Sequence, residues 1–480
     1  MPVEHITLTD ILIIFLYLIV MLVIGFVFVR KVRSKEDFYL AGRSLGTLTL
    51  LATVCASIIG GSAMLGKGGY AYNGGMLCIA VGLPYLIGML FFSGYAGRIS
   101  TIGRRYNLES IPDLMEYRFG KGARYISAAM ICYSNAAVVG AQISACATLF
   151  SVLGGNFGIT YVSGAVIATA IFCIYTASSG LFGVVYTDLV QFFVLIIFVY
   201  IMLPILTVGN AQVGGIAGLI AKTDPSKWRL ELDTGTVTLI VTNLIVTMAG
   251  AEYWQRAMAA KDRKTATRGL FLGTGVYALT IIVTLFLGLA AAILLPNLLQ
   301  EYGTADYAIP VMVARYLPSG LTGLTFAGML SVMMSSADTS ILMSTQSLVE
   351  DIFFDIRPAK DSKENLRVSR IVTIVLTALA LVVALFYRSA YDALMFAWVF
   401  YTAAMGIPCF AALFWKKATA PGIISGMLTG FATSILWDIL GTPWGISTTI
   451  AGVVLGAAAL FIVSLATWKE HPSKFADSRP

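Results

Sequence analysis

Apolar runs of about 20 residues recur along the whole chain, separated by short polar stretches. A bilayer core about 30 Å thick needs about 20 such residues per helix. Reading for these runs gives thirteen spans, at 9–29, 44–66, 76–97, 123–153, 158–177, 184–207, 235–256, 269–295, 320–347, 366–387, 391–414, 420–440 and 446–467. The stretch 308–317 is too short to span and reads as an extracellular half-turn or hairpin. The longest polar stretches, near 98–122, 208–234 and 351–365, are too short for an independent core. The pattern predicts an all-α polytopic membrane protein, with residues 1–480 forming a single transmembrane domain.

Composition and charge agree with that reading. The chain is 58% hydrophobic and 12% charged, whereas a soluble domain carries about 25% charged residues. An ordinary soluble enzyme is excluded. The net charge of +7 lies in the loops, where topology accounts for it without nucleic acid. Lys and Arg in alternate loops divide twenty-six to six. The rich side holds Arg30, Lys31, Arg33, Lys35, Arg43, the 98–124 group, Arg256 and the 261–268 group, the 357–370 group, Lys416, Lys417 and the tail; the poor side holds Lys67, Lys222, Lys227, Arg229, Arg315 and Arg388. This places the N-terminus outside and the C-terminus in the cytoplasm, across a cytoplasmic (plasma) membrane. The run Ile11 to Val29 has no basic residue ahead of it and no small-residue cleavage site, so it is a first transmembrane helix and not a signal peptide. His5 and His471 sit at the polar ends, which excludes a histidine metal site within the spans. Cys55, Cys78, Cys132, Cys146, Cys173 and Cys409 lie in apolar spans without ligand spacing and read as packing residues.

Four spans carry chemistry that plain anchors do not need. Span two holds Ala56-Ser57-Ile58-Ile59-Gly60-Gly61-Ser62, and five spans later span seven holds Thr247-Met248-Ala249-Gly250-Ala251. Small residues permit close packing of helices. They are also where a helix unwinds in transporters built of two repeats. Span nine places six oxygen-bearing side chains in Ser331–Ser340. Hydroxyls such as Ser335 and Ser336 either return a hydrogen bond to the preceding turn or act as neutral ligands of a hard cation. Asp188 reads either as a first-turn acid favoured by the helix dipole or, with Asp338 opposite, as part of a cation path. Asp438 and Glu252 also lie in or near spans, without a constellation around them.

Four segments in order then identify a likeness. Arg43-Ser44-Leu45-Gly46, Gly180 through Gln191 (GLFGVVYTDLVQ), Glu252-Tyr253-Trp254-Gln255-Arg256 and Met334-Ser335-Ser336-Ala337-Asp338 together resemble the sodium:solute symporter family, over about residues 9 to 467. The resemblance implies the leucine-transporter fold, a 5+5 inverted repeat with a broken first helix in each repeat. The first repeat would be 44–207 and the second 235–414, with a leading helix at 9–29 and two trailing helices over 420–467. Carried over by position, the family's sodium (Na+) site falls on the carbonyls of Ala56, Ile59 and Val332 and the hydroxyls of Ser335 and Ser336. A second sodium or proton site would involve Asp188, Asp338 and Thr339 with Ser335, although Asp338 stands where some members carry serine. Substrate-facing positions would be Ser57, Ile58, Gly60, Ser62, Gln142, Asn243, Tyr253 and Trp254.

Specificity is less legible. Ile58, Gly60 and Ala63 on the break, and a span four without arginine, argue against sialic acid; Ile58 stands where proline members carry an aspartate. With no basic residue expected at mid-membrane, a solute carboxylate would be met by a half-helix N-terminus and by sodium. An organic acid, a vitamin-like acid, an amino acid and a sugar all fit. The expectation is a sodium-coupled symporter importing a small organic solute, with sodium, that solute and the lipid bilayer as partners, no nucleic acid and no obligate protein partner evident. The rivals are a proton-coupled carrier of the same fold, titrating Asp188 or Asp338, and a transporter-like nutrient sensor, against which the short tail counts. A membrane enzyme is disfavoured by the lack of a nucleophile or histidine motif in the spans.

Overall fold

The computed structural model describes residues 6–29, 39–155, 158–387, 389–470 and 474. His5, Arg30, Lys31, Arg33, Lys35, Arg388, His471 and Arg479 lie outside the described residues, as do the side chains of Ser62 and Ala63. Among the described residues, ten helices are long and apolar enough to cross a membrane. Three shorter apolar ones, Leu8–Ile24, Thr47–Ile58 and Tyr161–Ile174, fall where the sequence places further spans.

The helices are α1 (Leu8–Val29), α2 (Thr47–Ile58), α3 (Gly61–Gly74), α4 (Leu77–Arg105), α5 (Ile111–Phe119), α6 (Lys121–Leu153) and α7 (Tyr161–Leu195). The second half holds α8 (Thr234–Val246), α9 (Ala251–Ala259), α10 (Arg263–Leu294), α11 (Ala308–Tyr316), α12 (Leu321–Leu348), α13 (Ser362–Phe386), α14 (Ala390–Phe414), α15 (Ala420–Ile439) and α16 (Thr448–Thr467). Side-chain caps fix many of the starts: Ser110, Thr160, Asp233, Asp262, Asp361, Ser389 and Thr419 each accept a backbone N–H of the first turn.

The contacts of α7 divide it into two limbs. Gly164 packs on Ala147 and Phe150 near the end of α6, and Thr176 reaches Asp338 on α12. Asp188 then lies beside Thr53, while Val194 and Val199 pack against Gly328, ten residues before Asp338 on α12. The second limb therefore returns antiparallel to the first and continues through a π-helical turn, Ile196–Met202, to Val208. The sequence's separate spans at 158–177 and 184–207 correspond to these two limbs.

α12 is the axis. From Thr322 to Ser347 nearly every residue is buried, hydroxyls included, and α6, α7, α2 and α1 pack around it. The apolar faces left outward belong to helices such as α1, α13 and α16, where Leu12, Phe15, Leu379, Val382, Val454 and Ile462 are exposed. A polar helix inside an apolar ring is the arrangement a lipid solvent selects, because buried hydroxyls need partners that hydrocarbon does not offer.

Three expectations need correction. Span two does not end near residue 66, since its second limb α3 runs to Gly74. Lys67, counted with a loop, is inside that helix and 6% exposed. Arg256, counted with another loop, is in α9 and 1% exposed. The bundle therefore does contain buried basic residues: Lys67 donates to the Tyr277 hydroxyl, and Arg256 is met by Asp188, Thr53 and Thr339. The segment at 308–317 is a nine-residue helix, α11, too short to span and packed on α3 and α10.

Candidate functional site: two broken helices around a hydroxyl-rich helix

The first helix of each half is interrupted. Between α2 and α3, Ile59 takes φ −89°, ψ 65° and Gly60 takes φ −71°, ψ 158°. Close approach explains the glycines here. A Cβ at Gly61 would lie 2.1 Å from Met333 Cγ, and one at Gly60 would lie 3.2 Å from Ser336 Oγ. Only a bare backbone lets α12 press against the break. Gln142 of α6 secures it by accepting the Gly61 N–H at 2.9 Å.

Between α8 and α9, the chain makes tight turns at Met248 and Ala249 and extends at Gly250 (ψ 105°). The carbonyls freed there are met by fixed donors. Tyr401 Oη donates to the Ala249 carbonyl at 2.6 Å, and Trp254 Nε1 donates to that of Met248 at 3.0 Å. The two broken helices are tied at one end, far from the breaks, where Leu45 N donates to the Ala259 carbonyl and Lys261 N to that of Leu45. Arg104 also bridges the carbonyls of Arg43 and Ala260.

The first break is treated differently. Its Ala56 carbonyl receives two serine hydroxyls from α12, Ser335 Oγ at 2.9 Å and Ser336 Oγ at 3.2 Å. Ser335 also reaches the Val332 carbonyl at 3.1 Å. Of the positions expected at a sodium site, Ala56, Val332, Ser335 and Ser336 thus come together, while Ile59 forms the break and neither serine bonds to its carbonyl. All four convergent oxygens are neutral, and the hydroxyls can rotate to turn lone pairs toward a cation. That is the donor set a hard monovalent ion accepts.

One helical turn away lies a charged cluster. Thr53 Oγ1 donates to Asp188 Oδ2 at 2.5 Å, and Arg256 Nη2 stands 3.8 Å from the same oxygen. Arg256 also donates to Thr53 at 3.2 Å and Thr339 at 2.7 Å, joining α2, α7, α9 and α12. Asp338 instead faces Thr176. Asp188 and Thr339 are therefore brought together, but around a guanidinium. Asp188 lies near the start of the second limb of α7, where Thr53 and Arg256 supply its partners.

A narrow cavity of about 50 Å³ adjoins the first break. Ser57, Ile58, Gly60, Gln142 and Tyr253 line it, as the sequence suggests. Asn243 and Trp254 do not: Asn243 donates to the Leu239 carbonyl and Met395 Sδ, and Trp254 is spent on Met248. Sequence reasoning missed Tyr85, Ser134, Asn135, Trp398 and Tyr401, and left Glu252 without neighbours although it also lines the cavity. Tyr85 stacks on Trp398 (centroids 5.9 Å, 8°) and meets the Tyr253 hydroxyl. A polar residue two turns before Gln142, such as Asn135 or Ser134, was a signal available in span four.

With this geometry in view, comparison with known proteins is specific. The sodium:solute symporter family matches residues 38–430, and the chain belongs to that family. It is 27% identical to the sodium/pantothenate symporter of Haemophilus influenzae, covering 91% of this chain and 92% of that protein. It is 26% identical to the osmoregulated proline transporter of Bacillus subtilis, covering 96% and 94%. The solved structure of a Na+-coupled sialic acid symporter, substrate-bound and outward-open, superposes with a TM-score of 0.82 at 18% identity over 98% of this chain and 99% of that one. The protein is thus a multi-pass membrane transporter of this family and not an enzyme.

Proposed function

We propose that the protein couples inward sodium flow to import of a small organic solute across the cytoplasmic membrane by alternating access. The N-terminus lies outside and the C-terminus in the cytoplasm. Residues 44–207 and 235–414 are the two inverted repeats, flanked by the leading helix and two trailing helices. Sodium binds between the Ala56 and Val332 carbonyls and the Ser335 and Ser336 hydroxyls, with Ile59 shaping the break. The solute occupies the neighbouring cavity against Ser57, Ile58, Gly60, Gln142 and Tyr253. The observation that carries this reading is the pair of serine hydroxyls turned onto a carbonyl that helix breakage has released. An ion there joins α2 to α12, so it favours the conformation in which the two are in contact.

At Asp188 the charge is already balanced by Arg256, so we assign that cluster to holding α9 against α2 and α12. The test is thermal stability of the purified protein in sodium against choline at fixed pH, followed by uptake into proteoliposomes. Wild type is expected to be stabilised by sodium and to take up solute only with a sodium gradient. Ser335→Ala with Ser336→Ala should remove both responses while the protein stays folded. Uptake that continues in choline and follows a pH gradient would sink sodium coupling and point to a proton-driven carrier.

A further inference from the structure

Three buried guanidinium groups and one half-buried, that of Arg124, have ordinary explanations. Arg256 pairs with Asp188, and Arg124 with Asp113, Glu116 and Asp351. Arg118 donates to the carbonyls of Ala411, Ala412 and Trp415 that end α14, and Arg43 to that of Leu108. Lys67 is unlike them. Its ammonium donates to the Tyr277 hydroxyl and otherwise meets ring faces, with the Tyr277 centroid at 4.7 Å and that of Tyr85 at 5.5 Å. Among the described residues no carboxylate pairs with it. An ammonium has three donors, and ring faces return only part of what water gives it. Burying such a charge without a counter-ion is costly, and in a membrane bundle it marks a functional position whose partner has to be named.

The partner's chemistry follows from what surrounds Lys67. The residue lies two helical turns past Gly60, about 10 Å along α3 from the break. Tyr85, whose face covers the ammonium, is also a wall of the cavity and is stacked there on Trp398. Tyr85 is thus shared between the lysine and the solute space. The lining itself contains no lysine or arginine and one acid, Glu252. We propose that Lys67 determines specificity, selecting a solute with one carboxylate: on solute entry Tyr85 turns aside and the ammonium exchanges the phenol and ring faces for the carboxylate. One ammonium balances one negative charge, and Glu252 disfavours a second. The aromatic walls suit an apolar or flat body. This inference rests on the symport reading and narrows its solute from acid, amino acid or sugar to a monocarboxylate.

The experiment uses the full chain in proteoliposomes with an inward sodium gradient. Propionate, pyruvate, lactate and benzoate are each compared with the matching amide, beside glucose and proline. At least one acid should be carried and its amide refused. Lys67→Met should raise the KM of that acid by roughly tenfold or more, the scale of losing one charge-assisted hydrogen bond, while Lys67→Arg keeps part of the affinity. Both variants should retain sodium-induced thermal stabilisation, which shows that they fold and that the sodium site is intact. Should Lys67→Met not fold, the acid-to-amide KM ratio in Lys67→Gln decides instead. An unchanged KM in the methionine variant, equal uptake of acid and amide, or uptake of none of the four acids overturns the proposal. Lysine-dependent acid uptake that ignores sodium would uphold the specificity and overturn the symport reading.

Discussion

Arg256 shows how a single side chain holds an interior that lipid surrounds. Its guanidinium touches Thr53, Thr339 and the Asp188 carboxylate, and both charges are essentially unexposed. Removing one member of such a pair strands the other charge, at a cost of about 3–5 kcal/mol. Arg256→Gln and Asp188→Asn are each expected to lower stability on that scale, as measured by denaturation in detergent. The double variant should cost less than the sum of the two, because nothing is then left stranded. Strict additivity would mean that the two groups do not act together; loss of the sodium response in Asp188→Asn alone would make the aspartate an ion ligand after all. The residues that proved legible in sequence were those whose chemistry contradicts their surroundings. Ser335, Ser336 and Asp188 are oxygens in apolar spans, and that alone drew attention to them. Tyr85, Trp398 and Tyr401 were not legible, since an aromatic in a membrane span has the same pattern whether it faces lipid, core or solute. Lys67 and Arg256 were misplaced for the converse reason. A charge near the end of an apolar run is assigned to the loop unless its partner, distant in sequence, is known.

At the scale of elements, length was legible and direction was not. Runs of about 20 apolar residues located the long helices, but α4 runs on to Arg105 and α10 begins at Arg263, beyond the expected bounds, and the extension of α3 to Gly74 was hidden because Lys67, Tyr70 and Asn73 interrupt its hydropathy. The reversal within α7 emerged only from the contacts of Thr176, Asp188 and Val194. Packing of α3 against α10 is closer than any pattern reveals. A Cβ at Gly288 would stand 2.3 Å from Ala71 Cβ and 2.5 Å from the Gly68 carbonyl, so neither helix can yield by moving a side chain. Gly288→Ala should therefore destabilise the protein by about 1–3 kcal/mol, the usual cost of overpacking. Gly94→Ala on α4 is the control. That position is exposed with nothing within 4 Å, and alanine there should be neutral or stabilising by up to about 1 kcal/mol. Melting temperatures of the two variants decide the matter, and equal effects would refute the contact.

For the whole molecule, transport requires that the ion and the solute act on one conformational equilibrium. Gly60 makes this concrete, because the same short break gives its Ala56 carbonyl to the serines of α12 and its Ser57 and Ile58 to the cavity wall. Any closure that brings Ser335 and Ser336 onto the break also sets the wall against which the solute packs. Coupling of this kind is a free energy shared by two ligands, and it is reciprocal. If sodium raises solute affinity by some factor, saturating solute must raise sodium affinity by the same factor. Calorimetric titration of each ligand at low and saturating levels of the other measures both ratios on one preparation. They are expected to agree within error and to exceed about fivefold, the lower range of useful coupling. In Ser335→Ala with Ser336→Ala both ratios should fall to one together, with the solute still binding at the weaker, sodium-free affinity. A solute that binds equally well with and without sodium in wild type would show that the break does not link the two sites, and that ion and solute move through this fold independently.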